Sequence, residues 1–193
     1  EKKALRREIL AARARLSPAE RQAKSESIGR RLFGLTEFGE SRTVLFFVGF
    51  GTEVSTLPMI ERALEQGKTV VAPRVCQASS LLELRRVSSN PAKVLSEGAM
   101  GILEPNRACP EVPLGQIDLI IVPAVVWDPE GYRVGYGGGF YDRLLARSEN
   151  AVTLGLGFEC QIVERVPRGQ HDLGVDMLMT EERVLRFDAF RGA

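Results

Sequence analysis

Ile117-Asp118-Leu119-Ile120-Ile121-Val122-Pro123 reads as a strand buried on both faces. One acidic residue marks its entrance, branched apolar residues follow without polar alternation, and a proline closes it. Such a run fits a parallel sheet with both faces covered, whereas a half-exposed strand would alternate. Downstream, Asp128-Pro129-Glu130-Gly131 carries turn chemistry. Phe140–Ser148 then reads as a helix, Ala151–Gly157 as a strand and Val175–Met179 as a short last strand. Upstream, Thr43–Val48 (TVLFFV) is a second buried strand, Pro58–Gln66 a helix ended by Gly67, and Thr69–Pro73 and Leu81–Val87 two more strands. Strands alternating with helices predict an α/β fold, with a mostly parallel central sheet flanked by helices on both faces.

The first thirty-five residues read as two helices. In Lys2–Leu16 the apolar residues Leu5, Ile9, Ala12 and Leu16 recur at three- and four-residue steps with basic residues between them. Ser17 then caps a second helix running to about Leu35, with Pro18 at its first position and Glu20 completing a capping box. Ser88–Gly115, with four prolines, reads as a loop-rich excursion. The 193 residues show no linker or repeat and are read as one domain, 1–193.

Composition narrows the function classes. A net charge of +1 gives no reason to expect nucleic acid or an anionic membrane as partner. The longest apolar stretches, Val44–Phe50 and Leu119–Trp127, are of strand length, so no membrane span is expected. The charged N-terminus does not read as a signal peptide. Cys76, Cys109 and Cys160 are odd in number and widely spaced, which fits reduced thiols better than a disulfide framework or a zinc site. The expected setting is cytoplasmic.

The segment with the strongest chemistry is Arg133-Val134-Gly135-Tyr136-Gly137-Gly138-Gly139-Phe140-Tyr141-Asp142. Four glycines among five residues bare the backbone ahead of a helix, so successive N–H groups can converge on an anion. Arg133 can add a full charge, and Asp142 is placed for a metal accompanying a phosphate, since Mg²⁺ takes sparse carboxylate ligation. A plain flexible turn before a helix explains the glycines equally well. The segment is neither a Walker loop nor a dinucleotide fingerprint, and Gly67-Lys68-Thr69 lacks the leading glycine and strand–helix context of a Walker loop. Glu53, beyond the strand ending in Val48, lies where open α/β sheets bind ligands, or is a solvated loop carboxylate. His171, the only histidine, has no nucleophile motif to serve. With Asp172 it reads as part of a metal or phosphate site or as an exposed turn. The basic residues Lys2, Lys3, Arg6, Arg7, Arg13 and Arg15 can contact phosphates or form a solvated face.

Val122-Pro123-Ala124-Val125-Val126-Trp127-Asp128 followed by Gly131-Tyr132-Arg133 through Arg143 resembles the signature of the 5-formyltetrahydrofolate cyclo-ligase family. Further matching pieces are Lys2-Lys3-Ala4-Leu5-Arg6, Glu53-Val54-Ser55-Thr56, Gly98 through Pro105, and Pro167 through Glu181, so the resemblance spans nearly the whole chain. It implies a Rossmann-like domain that converts 5-formyltetrahydrofolate to 5,10-methenyltetrahydrofolate with MgATP, by way of an iminium phosphate. It also implies ATP contacts at Lys2, Lys3, Ala4, Leu5 and Arg6 and along Arg133, Val134, Gly135, Tyr136, Gly137, Gly138, Gly139, Phe140 and Tyr141. Magnesium ligands fall at Asp142 and Asp172. Contacts to the reduced folate fall at Val48 and Glu53 and along Tyr136–Phe140, with Arg133 and Tyr136 in catalytic roles. A monomer acting on small molecules is expected. Trp127 and Phe140 depart from the Phe and Tyr usual in the family. A different enzyme on a related scaffold, such as a sugar-phosphate isomerase or a CoA-handling protein, and a non-catalytic nucleic-acid binder using the N-terminal helix are the competing readings.

Overall fold

In a computed structural model the chain is described at residues 1–88, 90–98, 101–170 and 172–187. Helices α1 (Lys2–Arg15), α2 (Pro18–Phe33) and α3 (Thr36–Glu40) precede β1 (Thr43–Leu45), α4 (Leu57–Glu65), β2 (Thr69–Cys76) and β3 (Leu81–Val87). Then come α5 (Pro91–Val94), β4 (Leu95–Glu97), β5 (Leu103–Pro105), β6 (Leu119–Pro123), β7 (Val126–Trp127) and β8 (Arg133–Val134). The chain continues with α6 (Phe140–Leu145), β9 (Val152–Leu156), β10 (Met177–Met179) and β11 (Val184–Arg186). Seven strands form the central sheet in the order β11-β10-β9-β6-β1-β2-β3. The five from β10 to β2 are parallel, and the antiparallel strands β11 and β3 close the edges.

The register explains the continuous apolar runs. Val44, Val70 and Leu119 are paired neighbours on one face, and Leu45, Val71 and Ile120 on the other. The first face packs with Ile28 and Leu32 of α2, Phe38 of α3 and Met59, Ile60 and Ala63 of α4. The second packs with Leu144 and Leu145 of α6 and with Trp127. The sheet is therefore covered on both sides, as the sequence predicts. Asp118 at the entrance of β6 accepts hydrogen bonds from the backbone N–H of Arg42 and Thr43, both at 2.8 Å, which pins β1 against β6. Gly155 of β9 has no room for a side chain: an added Cβ would lie 2.4 Å from the Trp127 ring.

Several boundaries differ from the sequence expectation. The ladder of β1 stops at Leu45, although Phe46, Phe47 and Val48 stay buried. Thr56 takes over there: its hydroxyl donates to the Phe47 carbonyl at 2.7 Å and accepts from Gly49 N–H at 2.9 Å. The side chain thus turns the chain out of the sheet into the loop that carries Glu53. β2 runs on to Cys76 because β3 pairs with it from Val70 to Cys76. Helix α6 ends at Leu145 rather than Ser148, so only six residues stand behind the glycine segment. The excursion after β3 contains α5 and a β4–β5 hairpin docked on β2, anchored by Glu104, which accepts from Val75 N–H. The capping box of α2 is present, with Ser17 and Glu20 exchanging hydrogen bonds.

Candidate active site

The parallel strands β1 and β6 present their carboxyl ends on the same edge of the sheet, the edge at which open α/β sheets bind ligands. From β1 comes the loop Gly49–Thr56; from β6 comes the β7–β8 hairpin, which delivers the glycine segment. Asp128, fully buried, sets that hairpin. One of its oxygens accepts from Glu130 and Tyr132 N–H at 3.0 Å, and the other from Val166 N–H at 3.2 Å and the Arg168 guanidinium at 3.0 Å. Every lone pair of this buried charge is used, which makes the burial tolerable and the turn rigid.

Helix α1 closes the site from outside. Leu5 and Ile9 pack with Val125, Val126, Val134 and Val166. Lys2, Arg6 and Arg13, at steps of four and seven, then fall on one face. Lys2 pairs with Asp172. Arg6 donates to the Gly135 carbonyl at 2.8 Å. Arg13, only 2% exposed, donates to Thr52 Oγ1 at 2.9 Å and to the Tyr136 hydroxyl at 2.8 Å. Lys3 and Ala4 are exposed on the same helix.

Arg133 is, with Arg13, a buried cation of the site. Its guanidinium donates to Asp142 and to the Leu173 carbonyl, both at 2.6 Å. Burial pulls its proton affinity below the usual guanidinium value, and the carboxylates of Asp142 and Asp172 oppose that loss. Lys2, Arg133, Asp142 and Asp172 thus form one alternating cluster across α1, β8, α6 and the loop before β10. His171 lies outside the described residues.

The glycine segment crosses between this cluster and the loop of Glu53. Gly137 and Gly139 have φ of 106° and 65°, conformations that a side chain disfavours. Phe140 folds back so that a Cβ on Gly138 would meet its ring at 2.7 Å. Arg143 donates to the Gly138 carbonyl at 2.7 Å and to the Ser80 carbonyl at 2.9 Å, tying the segment to the turn after β2. Tyr136 is 44% exposed and lies against Phe50 with ring centroids 5.4 Å apart. Tyr141 is partly buried, and its hydroxyl finds no hydrogen-bond partner among the described residues.

Glu53 sits beneath Tyr136 and accepts from Phe50 N–H at 3.2 Å. Burial pushes its carboxyl above the usual carboxylate range, with the charge of Arg13 acting against that rise. The Val48 side chain is buried in the core, so that position offers only backbone to a ligand. Arg13 is the residue that sequence reasoning undervalued by grouping it with a solvated basic face. The signal was present: it lies four residues after Ile9 and three before Leu16, on the apolar stripe of α1.

Among the described residues no group of three or more His, Cys, Asp or Glu side chains is gathered as a metal cage. Asp142 and Asp172 around Arg133 suit a hard cation that keeps most of its ligands from water or phosphate. None of the described helices is long and apolar enough to cross a membrane.

The sequence model of the 5-formyltetrahydrofolate cyclo-ligase family matches residues 1–181. A relative from Haemophilus influenzae, named 5-formyltetrahydrofolate cyclo-ligase, is 32% identical over 174 residues, covering 88% of this chain and 91% of its own. The solved structure of the Aquifex aeolicus 5,10-methenyltetrahydrofolate synthetase superposes with a TM-score of 0.86 at 36% identity, over 100% of this chain and 95% of that one. The Mycoplasma pneumoniae 5,10-methenyltetrahydrofolate synthetase, at 21% identity and a TM-score of 0.75 over 94% and 99% of the two chains, shares the fold. The architecture, the glycine segment and these likenesses together place the chain in the 5-formyltetrahydrofolate cyclo-ligase family.

Proposed function

We propose that this protein is the MgATP-dependent enzyme that closes 5-formyltetrahydrofolate to 5,10-methenyltetrahydrofolate. The observation that carries the reading is Tyr136. It belongs to the glycine segment, yet Arg13 and Phe50 hold it over Glu53, so a phosphate-type cluster and a partly buried carboxylate meet at one sheet edge.

The chemistry asks for positioning and charge neutralisation, not for a protein nucleophile. The formyl oxygen attacks the γ-phosphorus and ADP leaves, while the N5 lone pair forms the iminium. N10 then attacks the formyl carbon, loses its proton and expels phosphate as the C–O bond breaks. Lys2, Arg6 and Arg133 supply positive charge for the triphosphate, with Gly135–Tyr141 as the backbone around it. Asp142 and Asp172 are the residues that would hold Mg²⁺, which supplies neutralisation of phosphate charge. The same carboxylates pair with Arg133 and Lys2. Ligand entry then exchanges partners without leaving a buried charge alone, which limits the cost of desolvation. A raised Glu53 carboxyl suits hydrogen bonding to the ring nitrogens of the pterin, and Tyr136 and Phe140 cover the meeting point of the two substrates.

The test is to mix the protein with ATP, magnesium and 5-formyltetrahydrofolate and follow the near-ultraviolet absorbance of the methenyl product. A rise that needs both ATP and magnesium is expected. Folded protein giving no rise would overturn the proposal.

A further inference from the structure

β1 pairs with β2 over Thr69, Val70 and Val71, so the stretch of β2 from Pro73 to Cys76 runs past β1 at the carboxyl edge of the sheet. There its ladder partner is β3, from Leu84 to Leu81, and the two strands form a projecting ribbon. The ribbon is held at its sides. Arg74 donates to the Pro105 carbonyl at 3.0 Å, and Val75 N–H donates to Glu104 at 3.2 Å. Leu84 shares an apolar cluster with Leu144 and Leu145, which brings the ribbon against the helix behind the glycine segment. The turn at its tip, residues 77–80, ends on Ser80. With φ of 55°, Ser80 is the one non-glycine residue in the left-handed region among the described residues. Such a conformation costs free energy and persists where the surroundings over-determine it.

Arg143 of α6 lies between this tip and the glycine segment. Its Nε donates to the Ser80 carbonyl at 2.9 Å and its Nη2 to the Gly138 carbonyl at 2.7 Å. The guanidinium lies 5.2 Å from the Phe140 ring centroid, and a Cβ on Gly139 would come within 2.8 Å of Nη1. One side chain thus bears on three successive residues of the segment. Local structure does not fix them otherwise: Gly139, the N-cap of α6, supplies no side-chain cap, and glycine is free to leave its φ of 65°. The peptide joining Gly138 to Gly139 is planar and trans, so holding its carbonyl on Arg143 turns the Gly139 N–H the opposite way.

We propose that Arg143 is a positioning residue for phosphoryl transfer, which uses the β2–β3 ribbon as a brace through the Ser80 carbonyl and sets the Gly138–Gly139 peptide for the nucleotide. The inference rests on the proposed function, which gives the glycine segment to the triphosphate. Partly exposed contacts of this kind add little to stability. Their effect is on geometry, where a displacement of about 1 Å costs roughly a hundredfold in rate.

The experiment compares the wild type with Arg143→Ala, Arg143→Lys, a variant whose residues 77–80 are replaced by a two-residue Asn-Gly turn, and the combination of that turn with Arg143→Ala. Arg143→Ala should lower kcat about a hundredfold while the KM for ATP moves little and the melting midpoint falls by at most about 4 °C. Arg143→Lys should recover only part of the rate, because an ammonium lacks the planar fork that spans two carbonyls. The Asn-Gly turn keeps a hairpin but removes the Ser80 carbonyl, so it should lose as much kcat as Arg143→Ala, and combining the two should add nothing. Wild-type kcat in Arg143→Ala or in the turn variant would overturn the proposal. So would a loss carried by the KM for ATP, which would make Arg143 a direct nucleotide contact. If the wild type forms no methenyl product, the proposed reaction fails instead, and hydrogen exchange then decides the brace alone. Amides of residues 135–142 should exchange about tenfold faster in Arg143→Ala than in wild type, with the central strands unchanged. Equal exchange in the two proteins would overturn it.

Discussion

On the Arg133 side of the site each charge faces its opposite: Lys2 meets Asp172, and Arg133 meets Asp142 and the Leu173 carbonyl. On the Glu53 side the contacts are looser and more neutral. The carboxyl takes one backbone N–H, lies under a tyrosine and has its proton affinity raised by burial. The difference matches the proposed function, under which one sheet edge serves two unlike ligands. A polyanion and its metal require charges that can exchange partners, and a neutral heterocycle requires a carboxyl that hydrogen-bonds at modest electrostatic cost.

Mutations can break that contrast. The largest effect is expected from Arg133→Met, which leaves Asp142 and Asp172 without the cation between them. The carboxylates left unpaired still reach solvent, Asp142 being 36% exposed, so denaturant unfolding should show a loss of only about 1–3 kcal/mol. kcat/KM for ATP should fall by about a thousandfold, the scale seen when a charge aimed at a transferring group is lost. Retention of both would show that the paired half does no such work. Next is Asp142→Asn. The structure makes Asp142 the counter-ion of Arg133 as well as the candidate magnesium ligand, so a stability loss of about 1–3 kcal/mol should accompany a shift of the magnesium optimum upward. An unshifted optimum would remove Asp142 from the metal site.

Glu53→Gln sharpens the contrast from the other side. It should raise the KM for folate about tenfold, for one lost charged hydrogen bond, with the KM for ATP nearly constant. Equal shifts in both would mean that the halves are not separable. The smallest effect is a control away from the site. Glu37 on α3 pairs with Arg186 on β11, and that hydrogen bond holds its carboxyl below the usual range. Its contribution is therefore present above the unfolded carboxylate pKa and is lost as pH falls through the lower folded value. Glu37→Gln should cost at most about 1 kcal/mol at neutral pH, and the gap to wild type should close in acid. Thermal melts across pH test this, with kcat unmoved.

The branched run at Leu119–Pro123, the alternation of strands with helices and the Ser17–Glu20 box are local or periodic signals, and each is realised. The β4–β5 hairpin and the two-residue strands β7 and β8 left no such signal, because elements of two or three residues carry no period to read. The candidate site was legible as a list of residue types. That Arg13 ties Tyr136 to Thr52, and so to the loop of Glu53, was not legible, since those partners lie 39 and 123 positions from Arg13 in the chain.

The sequence by itself determined which segments can be buried, where two helices begin and which residues can meet phosphate, because propensity, capping and backbone freedom act within a few residues. Only the tertiary structure decided which cation faces which carboxylate and that Arg13 ties Tyr136 to the loop of Glu53. Pairing of charges is settled by distance and burial, and neither exists until the sheet has brought distant segments to the same edge.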